Sequence, residues 1–240
     1  MNLLYTQALA GGVAVVAALA ALGPSECVSN FSPSLVASCR GLIREVPYEL
    51  REFAAPLCDT LKAGDWILVA IVVANIACFV PALAKSRDWC ISQENMSHKT
   101  LFSYQFAHGN IAHIAGNMLT LLAVGSEVSV GLNCNQLLLL AMYLACGWVG
   151  GVFAALLSNE RTRTVGASGS VSGVIVALSV LRPNSAVYLL GDVTAANPLM
   201  LLFGTLAADL SRGGISWQAH LGGGITGAVL AFLLKLLKAV

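Results

Sequence analysis

A serine, three histidines and an asparagine stand at or just inside the starts of apolar runs, and together these residue types can perform acyl transfer. Ser168 lies in Gly166-Ala-Ser-Gly169, and His220 in Ala219-His-Leu-Gly-Gly-Gly-Ile-Thr-Gly227. His108, His113 and Asn117 share the stretch Phe106-Ala-His-Gly-Asn-Ile-Ala-His-Ile-Ala-Gly-Asn117. A serine hydroxyl is a poor nucleophile until a nearby base takes its proton, which makes His220 the candidate base for Ser168. The developing oxyanion needs donors aimed at it. His113 and Asn117, spaced i, i+4 on one helix face, are candidates, with a backbone N–H near Ser168. The pairs Gly169/Gly173 and Gly223/Gly227 have the spacing that lets membrane helices approach closely, bringing Ser168 within reach of His220. Taken singly, each feature has an ordinary explanation. Gly-Ala-Ser-Gly occurs wherever small residues pack, a lone intramembrane histidine serves packing or transport, and Asn117 alone is a helix–helix hydrogen bond. Ser170 and Ser172 are competing hydroxyls, read as packing residues. The joint pattern points to chemistry.

The elements that must position these residues are membrane spans. Of the 240 residues 57% are hydrophobic and 10% charged, with mean hydropathy +0.78. Soluble proteins carry about 25% charged residues, so most of this surface is not made for water. A spanning helix needs about 20 mostly apolar residues, because lipid offers open backbone groups no partner. Seven segments qualify: 3–22, 65–84, 107–129, 135–157, 167–182, 196–210 and 218–238. The short ones at 167–182 and 196–210 suit helices packed inside a bundle. The third, fifth and seventh spans run in the same direction, so His108/His113, Ser168 and His220 fall at similar depth on one side. Ionisable groups at that depth are costly and mark function. Hydrolysis there requires a water-filled cavity.

Residues 23–64 differ, with charges interleaved among Leu42, Ile43, Val46, Leu50, Phe53, Leu57 and Leu61 at helical spacing. Amphipathic helices on the membrane surface are expected, a small extramembrane cap being the alternative. The run at 3–22 has no basic n-region and is longer than a signal peptide's apolar stretch, so a retained span is expected. No Arg or Lys precedes Arg40, and no Arg-rich transit peptide is visible. Seven Lys and Arg on one side of the spans against six on the other set no orientation. Asn30-Phe-Ser and Asn95-Met-Ser are sequons on opposite sides, so at most one is usable. A net charge of +1 without basic clusters gives no nucleic-acid footprint. Seven scattered cysteines form no CxxC pair and read as apolar fillers rather than metal or disulfide sites.

With these residues in view, the chain resembles the rhomboid intramembrane serine proteases. The resemblance lies in His108-x4-His113-x3-Asn117, Gly166-x-Ser168-Gly169 and Ala219-His220-x2-Gly223-x3-Gly227, in the family's order, and covers about residues 65–240. It implies an all-α membrane protein: a six-helix rhomboid core over 65–240, with an additional N-terminal transmembrane helix and amphipathic segment in 1–64. It implies Ser168 and His220 as catalytic dyad and His113 and Asn117 as oxyanion hole. His108, Gly166, Gly169, Gly223 and Gly227 would support them, with no metal or organic cofactor. Expected partners are the bilayer and transmembrane protein substrates with helix-weakening residues near the cut. The one-plus-six order and Phe-x-His-x4-His-x3-Asn-Met118 resemble the mitochondrial branch, which implies the mitochondrial inner membrane. Two positions depart from relatives: Arg87-Asp88-Trp89 replaces a Trp-Arg pair, and Ser172 stands where many bacterial members carry an aromatic residue. The competing readings are an inactive rhomboid-like adaptor or translocation component, and a small transporter. The first usually lacks the Ser or His, and the second would show an inverted repeat.

Overall fold

The computed structural model describes residues 60, 64–84, 89–159, 162–189, 194–200, 202–203 and 216–240. The expected span at 3–22, nearly all of 23–64 and most of 196–210 lie outside them. Six α-helices are delimited within the described residues: α1 (Trp66–Ala84), α2 (His98–Ser103), α3 (Ile111–Gly131), α4 (Gln136–Leu157), α5 (Ser168–Leu181) and α6 (Trp217–Leu236). A 3₁₀ turn, Tyr104–Phe106, follows α2, and residues 198–200 and 202–203 are also helical. By length and apolar composition α3, α4 and α6 can each cross a membrane, while Trp66–Phe79 and α5 are shorter apolar helices. This is a helical membrane fold. Between the spans expected at 167–182 and 196–210, β1 (Val187–Leu189) and β2 (Thr194–Ala196) form an antiparallel hairpin with Tyr188 opposite Ala195, and Val187 is buried in the core.

Local chemistry sets the helix starts. Ser97 and Thr100 make a reciprocal capping box on α2. Asn110 accepts the His113 N–H at 2.8 Å, so α3 begins at Ile111 rather than at 107. Asn135 does the same for Leu138 on α4. α5 starts differently: Ala167 holds its N-cap position and no side chain caps it.

α5 is the centre of the bundle, packed against α3, α4 and α6. Its short apolar sequence is buried on every side, with Val174, Ala177 and Leu178 at 0% exposure. By contrast α6 presents Leu221, Ile225, Val229, Phe232 and Leu236 outward, as a lipid-facing helix does. Lipid tails are as apolar as leucine, so apolar burial alone does not hold such helices together, and packing and polar contacts carry more of the association. Two polar clusters act far from the start of α5. The carboxylate of Asp65 accepts from Ser129 (2.5 Å) and Gln136 (3.0 Å), joining the start of α1 to the end of α3 and the start of α4. Arg182 pairs with Glu127, joining the end of α5 to α3.

Candidate active site

Gly166 begins the site. Its φ of +124° is rarely adopted by residues with a side chain, and its N–H donates to the Tyr104 carbonyl at 2.9 Å. A Cβ at this position would stand 2.7 Å from Cε1 and 2.9 Å from Nε2 of His113. One glycine therefore satisfies both the turn and the ring packed on it. Ala167 follows, and its N–H donates to His108 Nε2 over 3.4 Å, at the long end for a hydrogen bond. A ring nitrogen that accepts is unprotonated, so His108 is neutral in this arrangement. Ser168, half-buried, is the first residue of α5, where a helix start leaves backbone N–H groups without intrahelical partners.

His108 and His113 meet edge to face, their ring centroids 5.0 Å apart. His108 is 2% exposed, whereas His113, in the first turn of α3, is half-buried. One turn further on, Asn117 donates from Nδ2 to the His113 carbonyl at 2.9 Å, which orients its carboxamide and commits one of its two N–H bonds.

His220 enters from the first turn of α6, 6% exposed. Backbone contact brings it to Ser168. A Cβ on Gly223 would overlap the Gly169 carbonyl oxygen, and one on Gly227 the Gly173 carbonyl oxygen. The carbonyl of Ala219 lies 3.2 Å from where a Gly169 Cβ would be, and 2.7 Å from that of Gly150 on α4. The residue after Ser168 thus packs on the residue before His220. No hydrogen bond joins Ser168 and His220, and neither ring nitrogen of His220 has a partner among the described residues. Catalytic hydrogen bonds in unliganded enzymes are often long and tighten with substrate. Ser172, one turn after Ser168, is buried inside α5. Beside His220 is an apolar cavity of about 690 Å³, lined among others by Val176, Trp217, Leu221 and Ile225. Among the described residues, no group of three or more His, Cys, Asp or Glu is placed to hold a metal ion.

Several residues around this site went unremarked in the sequence. Tyr104, 0% exposed, donates its hydroxyl to the Gly147 carbonyl at 2.5 Å and packs its ring where Gly151 has no side chain. The neighbouring Gln105 is also fully buried. The signal available was Gly147-x2-Gly150-Gly151, a run of small residues inside an apolar helix that marks close approach. The loops before α2 and α5 are also tied together, Ile91 and Thr164 exchanging two backbone hydrogen bonds of 2.9 Å.

Comparison with known proteins adds an independent line. A family model described as "Rhomboid domain" matches residues 95–236. RHOMBOID-like protein 4 of Arabidopsis thaliana is 33% identical over 138 residues, covering 56% of this chain and 33% of the relative. RHOMBOID-like protein 12, mitochondrial, from the same plant is 28% identical over 193 residues, 68% of this chain and 56% of the relative. RHOMBOID-like protein 6, mitochondrial, is 29% identical over 151 residues, 61% and 47% respectively. The chain spans between a third and just over half of the length of these relatives.

Proposed function

The chain belongs to the rhomboid family, and from that premise we propose that it is an intramembrane serine protease cutting peptide bonds in or near transmembrane segments. The observation that carries this is the convergence at the start of α5. Ser168 and His220 flank the Gly169–Ala219 backbone contact, while the His113 ring lies on Gly166. Ser168 Oγ would attack the scissile carbonyl as His220 takes its proton. His113, Asn117 and the free N–H groups at the start of α5 would stabilise the oxyanion. The protonated His220 would then give its proton to the leaving amine, and water, deprotonated by the same ring, would release the acyl group. His108, through Ala167, and Gly166, Gly169, Gly223 and Gly227, through backbone contact, are supporting residues. The apolar cavity beside His220 suits a substrate that arrives from the bilayer.

We further assign a one-plus-six arrangement, with 3–22 as the additional span, and the mitochondrial inner membrane as the site of action. Two relatives that carry the word mitochondrial in their names support that location. One observation favours a second reading, an inactive rhomboid-like adaptor: among the described residues, both nitrogens of His220 are without a partner.

A reconstituted protein with a transmembrane reporter separates the two. Cleavage by wild type, lost in Ser168→Ala and in His220→Ala, is the expected result. Cleavage that persists in Ser168→Ala removes the dyad, and a wild type that neither cleaves nor reacts with a fluorophosphonate leaves the adaptor.

A further inference from the structure

The segment Tyr104–His108 grips the segment Gly166–Ser170 at three points on both sides of Ser168. Two are the backbone bond from Gly166 to Tyr104 and the bond from Ala167 to His108 described above. The third lies beyond the nucleophile: Ser170 donates its hydroxyl to Gln105 Oε1 at 3.1 Å. Both residues are buried, Gln105 at 0% and Ser170 at 1% exposure. Gln105 cannot swing away, because its Nε2 donates to the Leu101 carbonyl at 2.9 Å. The pair also rests on α4 at a point with no room for a side chain, since a Cβ on Gly147 would overlap both Gln105 Oε1 and Ser170 Oγ.

Nearby, the Tyr143 hydroxyl on α4 accepts from Asn75 Nδ2 on α1 at 3.3 Å. Tyr143 and Asn75 are both 0% exposed. Neutral polar bonds therefore tie α5 to the turn before α3 and, separately, α1 to α4. Buried bonds such as Ser170–Gln105 are stiff, because the low dielectric strengthens each one and makes a broken one costly. Ser168 and Ser170 are two residues apart, about 3 Å along the helix axis, so what fixes Ser170 fixes the nucleophile.

We propose that Gln105 is a positioning residue for the reaction: its carboxamide holds Ser170, and through it sets Ser168 against the loop carrying His108. A merely structural role would cost stability and leave turnover of the folded protein unchanged. A positioning role lowers kcat and leaves KM in place, since an interaction lost from the reacting geometry alone does not weaken substrate binding.

The inference rests on the protease reading, and its test separates the two. Full-length wild type, Ser170→Ala, Gln105→Met and the double variant are reconstituted in liposomes and compared well below their unfolding temperatures. Fluorophosphonate labelling rate, kcat and KM for the transmembrane reporter, and hydrogen exchange over 166–170 are read. Each single variant should lose about 10- to 100-fold in labelling and kcat, the range that follows small misplacements of reacting groups. KM should hold, and exchange over 166–170 should quicken. The double variant should be no slower than the worse single, because one link has been cut twice.

Gln105→Glu guards against variants that fail to fold. A neutral carboxyl keeps both bonds, its O–H donating to Leu101 and its C=O accepting from Ser170, and burial favours that neutral form. Its activity relative to wild type at each pH should be near one in acid and fall as pH rises. Ser170→Ala that labels and turns over like wild type overturns the positioning role while leaving the protease reading intact. So do single losses that multiply in the double variant. A wild type with no labelling and no cleavage overturns both.

Discussion

The imidazole of His113 occupies the space that any side chain at Gly166 would need, with Cε1 2.7 Å from the position of a Cβ. A candidate oxyanion donor and the turn that precedes the candidate nucleophile Ser168 are thus shaped against each other, although 53 positions separate His113 from Gly166 in the chain.

Gly166→Ala should therefore damage the site twice. A side chain at φ +124° costs about 1–3 kcal/mol, and the methyl group must push the His113 ring away. Fluorophosphonate labelling of Ser168 should fall by about 100-fold or more, in the range seen when an oxyanion donor is removed. Thermal unfolding should shift downward. Gly109→Ala is the control, since a Cβ at Gly109 meets nothing within 4 Å, and it should behave as wild type.

The contact between α5 and α6 predicts a sharp contrast between two helical glycines. At Gly223 a side chain would run into the Gly169 backbone carbonyl, which moves only if the helices part. Gly223→Val should abolish labelling together with the cooperative unfolding transition. Gly116 on α3 is exposed and has nothing within 4 Å of its Cβ position. Gly116→Ala should leave activity unchanged and stabilise the helix by about 0.5–1 kcal/mol. Equal effects of the two substitutions on unfolding would contradict the backbone contact.

Asn117→Ala tests the second oxyanion donor. The amide is buried and steadied by its bond to the His113 carbonyl, so its removal should leave KM near wild type. Cleavage should slow by about 10²–10³-fold if Asn117 donates only in the transition state. A loss confined to KM would place Asn117 in substrate binding.

The sequence singled out Ser168, His220, His113 and Asn117 by their joint pattern, since each alone has an ordinary explanation, and the structure places the Gly166 turn before Ser168 against the His113 ring and Gly169 against Ala219. The glycine pairs were legible for a related reason, their fixed four-residue spacing. Tyr104 and Gln105 were not. Their partners lie 43 and 65 positions away, at Gly147 and Ser170, and no local spacing encodes such a pairing. The start of α3 was misplaced because Phe106 and Ala107 continue the apolar run, while the capping side chain of Asn110 decides where the helix begins. The hairpin at Val187–Leu189 and Thr194–Ala196 went unread because three-residue strands are too short to show an alternation.

No residue of α5 is exposed. The helix that carries the candidate nucleophile Ser168 consequently has few positions free to drift. Most substitutions there are felt by a neighbouring helix, whereas Ile225 or Val229 on the outer face of α6 can be exchanged for other apolar residues at little cost. Adaptation of this protein to a membrane of different thickness or fluidity would therefore be written on α6 and the outer faces of α3 and α4, leaving α5 unchanged.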